Sequence, residues 1–193
     1  MTIRDRRHSS SVELVSFAVV RDNAALRTAY LGWLNDPEVV RPMASPALLA
    51  PKGSEFIEES LARFTRPECQ GFFIRLAPDN VFIGTAKLDG ISLQTRSAWD
   101  GIMIGDRRYH GRGLAPQVYR VLLAHAFETL GLRRVSGGCN EKNIPMVRTF
   151  QRVGYTLEGR LRQADCIDGE YSDHLYFGIL REEFWAAHRV DWR

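Results

Sequence analysis

Arg108-Tyr109-His110-Gly111-Arg112-Gly113 is the stretch on which the fold turns. Just before it, residues 99–104 are largely apolar and stop at Gly105-Asp106, the pattern of a strand. Just after it, Leu114, Val118, Val121, Leu122, Ala126 and Leu130 recur at helical spacing, and Gly131 closes the run. The six residues therefore join a strand to a helix. Their two glycines let the backbone bend tightly and approach a ligand closely. The first N–H groups of the helix have no intrahelical partner and lie at its positive end. Such a turn receives anions, phosphates above all. Arg107, Arg108 and Arg112 add positive charge, and Pro116 suits a first turn, where an N–H is not needed. The competing explanation is a glycine turn that merely opens a helix. Neither GxxxxGK[ST] nor GxGxxG is present, so a P-loop and a dinucleotide-binding Rossmann turn are disfavoured.

Working outward, residues 12–20 read as a strand and 23–34 as a helix with Asp22 as its cap. Asn35-Asp36-Pro37 breaks that helix. Residues 54–64 form a second helix, and 71–76 and 81–88 a hairpin around Pro78-Asp79-Asn80. After the strand at 99–104, one helix is expected over 114–130, a strand over 133–136 and a helix over 144–153. The end reads as strands 155–162 and 171–180 around Asp168-Gly169, then a short helix over 181–188. Hairpins first, strand–helix units next and a closing hairpin predict an α/β (α+β) domain, one mixed sheet of about six to seven strands with helices on both faces.

The 193 residues suit a single domain, and 45% hydrophobic with 25% charged residues is globular. The formal charge is +3, from 26 Lys+Arg and 23 Asp+Glu. Arg4, Arg6 and Arg7 against Asp5 place +2 of it in residues 1–10, which read as a flexible arm, with residues 11–193 as the domain. A body near neutrality argues against nucleic acid as a partner; a binder using the basic arm would show salt-sensitive DNA binding lost with residues 1–10. The apolar stretches are far short of a membrane span, and no apolar segment follows the N-terminal arginines. Cys69, Cys139 and Cys166 form no CxxC pair, which suggests a reduced, cytoplasmic chain. The five histidines show no metal spacing.

The chain resembles the GNAT N-acetyltransferase superfamily. Residues 108–113 fit that family's [Q/R]-x-x-G-x-[G/A] acetyl-CoA motif. Asn143-Ile144-Pro145-Met146, Phe150 and Gly154-Tyr155 are similar to its N-x-x-[A/S]…G-[F/Y] element. The RimL/RimJ-like branch is suggested by Trp33-Leu34-Asn35-Asp36-Pro37-Glu38-Val39 and by Gly159, Arg160, Gly169, Glu170 and Asp173. The resemblance covers roughly residues 13–185.

The resemblance implies acetyl-CoA as acyl donor, bound in a splay between strands 101–104 and 133–136. The pyrophosphate would be held by N–H groups of Arg108, Tyr109, His110, Gly111, Arg112, Gly113 and Leu114, with Arg107 beside them. The pantetheine arm would lie along Ile102, Met103 and Ile104, and Asn143 would touch it. Acetyl would pass directly to an amine in a ternary complex, helped by N–H groups that polarise the carbonyl and by positioning of the two substrates. A base must first take the proton of the amine. Asp100 and His174 or Asp173 are the candidates, each with an ordinary structural alternative. The family's tyrosine acid aligns with Phe150, which cannot donate, and the RimL-like serine with Met146; Tyr155 is another candidate acid. A leaving thiol with a pKa of about 8.5 does not strictly need one. Cys139 as a covalent carrier would require an activating base, and none is evident.

The acceptor pocket is expected from residues 33–43 and 160–174, whose charges are mixed. A small-molecule or peptide amine is implied, an amino sugar or a protein N-terminus. The losses at Phe150 and Met146 leave a second reading, an acyl-CoA-binding module without turnover. RimL-like proteins are often homodimers, and Trp185 and Trp192 could serve that or simply pack.

Overall fold

Among the described residues nine strands pair into one sheet, the apolar runs forming its centre. They are β1 (Thr2–Arg4), β2 (Val12–Ser16), β3 (Thr65–Arg66), β4 (Cys69–Leu76), β5 (Val81–Ser92), β6 (Ser97–Ile104), β7 (Arg134–Asn140), β8 (Thr156–Ile167) and β9 (Glu170–Leu180). Their order is β1-β2-β4-β5-β6-β7-β9-β8, with β3 paired onto β4. Every pairing is antiparallel except β6 with β7. The computed structural model describes residues 1–4, 11–44, 49–77 and 79–188. The mixed sheet matches the expectation, and its two extra strands are β1 and β3, too short to leave a periodic signal. Thr2–Arg4 pairs with β2, so the arm expected over residues 1–10 begins inside the sheet. Residues 5–10 lie outside the described residues, as does Trp192.

Among the described residues the α-helices are α1 (Ala24–Leu34), α2 (Pro37–Val40), α3 (Glu55–Phe64), α4 (Leu114–Ala124), α5 (Ile144–Val153) and α6 (Arg181–Ala187). Tyr119, Phe127, Phe150 and Phe184 pack α4, α5 and α6 against one face of the sheet. Phe17, Tyr30, Ile57 and Phe73 build a second core with α1 and α3 on the other. Burying such side chains contributes roughly 1.5–3 kcal/mol each.

Three local expectations are corrected. The strand over 12–20 stops at Ser16, and Phe17–Val20 is a 3-10 turn that drops Phe17 and Val20 into the core. Asn23, not Asp22, caps α1, its Oδ1 accepting from Leu26 N at 2.9 Å. The helix over 114–130 is α-helical only to Ala124. His125–Thr129 is a π-helical turn that buries His125, Ala126 and Phe127 in succession, something a 3.6-residue period does not announce.

The feature that positions the site is the β6–β7 pair. Only three residues pair: Ser97 with Arg134, Ala98 with Val135 and Trp99 with Ser136. Beyond Trp99 the strands part, while β7 stays paired to β9 through Asn140. The splay is therefore shifted from its expected bounds. Residues 134–136 belong to the paired stem, and the open arm of β7 is 137–140.

Candidate active site

The glycine turn lies at the open end of β6. Gly111 and Gly113 have φ of +71° and +69°, a left-handed conformation that other residues adopt only under strain. Gly113 is the residue before α4, whose N-terminus faces a groove of about 730 Å³. Ile102, Met103 and Ile104 form one wall, residues 109–114 another, and Asn143 a third. Arg107 and Arg108 do not line the groove. Arg108 chelates Asp106 through Nε (3.0 Å) and a terminal nitrogen (2.7 Å), and Arg107 lies 3.7 Å from Asp36. The backbone N–H of Arg108 donates to Asp106 Oδ1, that of Tyr109 to Asp106 O and that of His110 to Arg107 O. Donors for a phosphate thus narrow to the stretch from Gly111 to Leu114. Arg112 keeps its place in the groove, its guanidinium over the Tyr109 ring at 5.1 Å. Sequence reasoning missed Arg148 and Arg152 of α5, which also line it. They recur at i and i+4, a helical stripe of charge facing the anion site.

Asp100 stands where β6 and β7 part. On β6, Ala98, Ile102 and Ile104 pack toward α4 and α5, and Met103 toward α1 and α3. The alternation puts Asp100 on the α4–α5 face. Tyr119 Oη donates to its Oδ1 at 3.0 Å and Tyr155 Oη to its Oδ2 at 2.5 Å. Burial pushes Asp100 up to about 7, against the pull of the two phenol hydrogen bonds and of the Lys87 charge. Burial and the neighbouring carboxylate hold both phenols well above their ordinary value. A carboxyl that titrates near neutrality can take and return a proton.

Residues 18–156 match the acetyltransferase (GNAT) domain. The chain belongs to the GNAT acetyltransferase family. It is 31% identical over 130 residues, 66% of this chain and 70% of the relative, to the probable N-acetyltransferase YjcK of Bacillus subtilis (strain 168). It is 24% identical over 82 residues, 42% of this chain and 44% of the relative, to the spermidine N(1)-acetyltransferase of Escherichia coli (strain K12). Its fold is similar, with a TM-score of 0.78 at 20% identity, to a spermidine N-acetyltransferase from Vibrio cholerae solved with CoA and spermine, over 91% of this chain and 99% of that one. The chain is an N-acetyltransferase that uses acetyl-CoA as acyl donor. The groove fits that donor: left-handed glycines, helix N–H groups and arginines at one end, and the unpaired edge of β6 along the arm.

A second cavity of this acetyltransferase, about 420 Å³, meets the first at Met43, Ile102, Met103 and Asn143. Tyr30, Phe56 and Phe64 line it from one face of the sheet, and Tyr119 and Met146 from the other. It therefore passes through the fork, with Asp100 in its wall. Leu34, Pro42 and Met43 contribute from the expected residues 33–43, whereas none of residues 160–174 is in the lining. Helix α3 takes the place of that hairpin. Asn143 caps α5, accepting from Met146 N at 3.3 Å and donating to Pro42 O at 3.1 Å, so it ties that loop to the groove.

Of the remaining candidates, His174, Asp173 and Phe150 lie outside the cavity lining, and Cys139, on the open arm of β7, is in it. His174 Nδ1 meets Asp165 at 3.0 Å, and Asn140 Nδ2 donates to Asp165 at 2.9 Å and to Ser172 Oγ at 2.6 Å. The Nε2 of His174 lies against Gly138, which is in the lining, while His174 itself is not. Asp173 accepts from Gln163 N at 2.9 Å and pairs with Arg160 at 3.2 Å, so it braces the closing hairpin. Phe150 is a core residue, stacked on Phe177 at 4.7 Å. Burial pushes the Cys139 thiol up to about 12, which removes it as a nucleophile. Trp185 packs on Phe184 at 4.7 Å. Among the described residues no group of His, Cys, Asp and Glu forms a metal site, and no helix is long and apolar enough to cross a membrane.

Proposed function

We propose that the acceptor is a small primary amine, the size of an amino sugar or of the first residue of a peptide, which attacks the acetyl thioester directly in a ternary complex. The observation that carries this is the cavity through the fork, with a carboxyl of near-neutral pKa in its wall. Acetyl-CoA supplies the activated acetyl group. Asp100 takes the proton of the incoming amine, which is a nucleophile only once deprotonated. Tyr155 holds Oδ2 and so orients the carboxyl; it is a positioning residue. Tyr119 reaches the cavity beside Met146, with a sulfur contact at 3.8 Å; its hydroxyl gives its proton to the departing thiolate and is reprotonated by the proton that Asp100 took from the amine, along their 3.0 Å hydrogen bond. The unpaired N–H groups of β6 past the fork polarise the acetyl carbonyl.

His174 acts from outside the cavity, steadying the arm of β7 through Gly138. The free thiols of Cys69, Cys139 and Cys166 support a reducing, cytoplasmic setting. The test is CoA release from acetyl-CoA with a panel of small amines and short peptides, followed by the mass of the product. An acetylated small amine is expected. CoA release with peptides alone would replace the small molecule by a protein N-terminus, and binding of acetyl-CoA without release on any acceptor would remove the reading.

A further inference from the structure

Two cations line the acceptor cavity, and acetyl transfer as described gives neither a contact with the acceptor, although the charge of Lys87 also acts on Asp100. Lys87 lies on β5 opposite Gly101 of β6, on the face toward α1 and α3, and Arg63 lies in the last turn of α3. Both are in the cavity wall. One carboxylate serves both: Asp89 Oδ2 lies 3.1 Å from Lys87 Nζ and also pairs with Arg63. Asp89 is not in the lining, so apart from the Asp100 carboxyl at the fork the cavity wall carries two positive charges, with one negative charge behind them. The Arg63 side chain is 57% exposed and that of Lys87 36%, which leaves donor capacity on both. Around them the wall is apolar and aromatic, with Tyr30, Leu34, Phe56 and Phe64.

This wall is unsuited to a polyamine, whose second ammonium would meet like charge. It suits an anion, because a guanidinium and an ammonium together make charge-assisted hydrogen bonds to carboxylate or phosphate oxygens. We infer that the acceptor is an amine with a compact body and an anionic group, a carboxylate or a phosphate, which Lys87 and Arg63 hold while the amine reaches Asp100 at the fork. The inference rests on the small-amine reading above and narrows it. Holding the anion at one end fixes the reach of the amine at the other, so the effect falls on kcat/KM.

The experiment compares matched acceptors with the full-length enzyme and acetyl-CoA: tyrosine against tyramine, glucosamine 6-phosphate against glucosamine, and spermidine. At least one anionic partner is expected to exceed its match in kcat/KM by tenfold or more, and the pair that does so tells carboxylate from phosphate. Lys87→Met and Arg63→Gln are each expected to lower that ratio at least fivefold. Arg63 is at the surface, so its variant keeps the test open if Lys87→Met fails to fold. Equal turnover within both pairs, spermidine as the best acceptor, or a ratio unmoved by the substitutions overturns the inference and leaves the small-amine reading standing. Turnover of none of the amines, with acetyl-CoA still bound, overturns the small-amine reading and this inference with it.

Discussion

Gly137 lies under the Asp100 carboxylate: a Cβ added there would stand 2.6 Å from Asp100 Oδ1 and 2.8 Å from the Phe150 ring. The absence of a side chain on β7 is what lets the carboxyl sit in the fork with Tyr119 and Tyr155 on its oxygens. Gly137→Ala must push the carboxyl, the ring or both. The expected outcome is a loss of about 1–3 kcal/mol in stability, as for overpacking elsewhere. A fall in kcat should accompany it, with acetyl-CoA affinity nearly unchanged. Melting curves and steady-state kinetics on one preparation check both.

Asp100→Asn removes the proton acceptor and keeps the shape. A drop in kcat of about 10²–10⁴-fold is expected, the usual span for general acid–base groups. The wild-type rate should rise with pH through about 7, and this limb should vanish in the variant. Stability gives a second readout. The folded carboxyl keeps its proton to about 7 and an unfolded one only to 3.8. Between those values the folded state binds more protons, so stability from this group is full below 3.8 and is lost as pH rises through 7. The variant should therefore lose less melting temperature than wild type between pH 5 and pH 8.

Gly111→Glu and Gly113→Glu should each abolish acetyl-CoA binding by calorimetry. Both positions are open, with nothing within 4 Å of a Cβ, so collision is not the cause. The left-handed backbone costs a side chain about 1–2 kcal/mol, and the new carboxylate repels the pyrophosphate. Gly111→Ala separates the two effects, and it should weaken binding far less than Glu.

His125 makes the protein sensitive to acid. Its Nε2 meets Gln70 Oε1 at 2.9 Å, its Nδ1 is buried without a partner, and burial lowers its pKa from 6.5 to about 4. The folded state then binds fewer protons than the unfolded one across that window. Stability from this group is full above 6.5 and is lost as pH falls through 4, by up to about 3 kcal/mol. His125→Gln keeps a donor toward Gln70 and should flatten this slope in urea titrations at pH 4 and 7.

Legibility followed the range of the interactions. Gly111, Gly113 and the periodic run after them marked the donor turn because its conformation is local. Asn143 was legible because it opens the family-like motif at the head of its own helix, where its side-chain carbonyl also caps that helix. Tyr119 carried no signal of its own within the periodic run of α4, since only the β6–β7 fork puts its hydroxyl on Asp100. Arg63 and Lys87 are 24 residues apart in the chain, and only the packing of α3 over β5 brings both onto Asp89. Arg107 and Arg108 misled in the other direction: their charge was visible, while the Asp36 and Asp106 that occupy them were not weighed.

By itself the sequence determined what local rules control: the α/β alternation, the glycine turn at the head of α4, and the motifs that mark a GNAT acetyltransferase. The tertiary structure decided which groups meet. The three-residue pairing of β6 with β7 opens the fork, and the missing Cβ of Gly137 lets a carboxyl lie in it. Two phenols from separate elements close over that carboxyl, and burial among them brings it to a near-neutral pKa. Burial and approach between distant segments are properties of packing, and no window of sequence contains them.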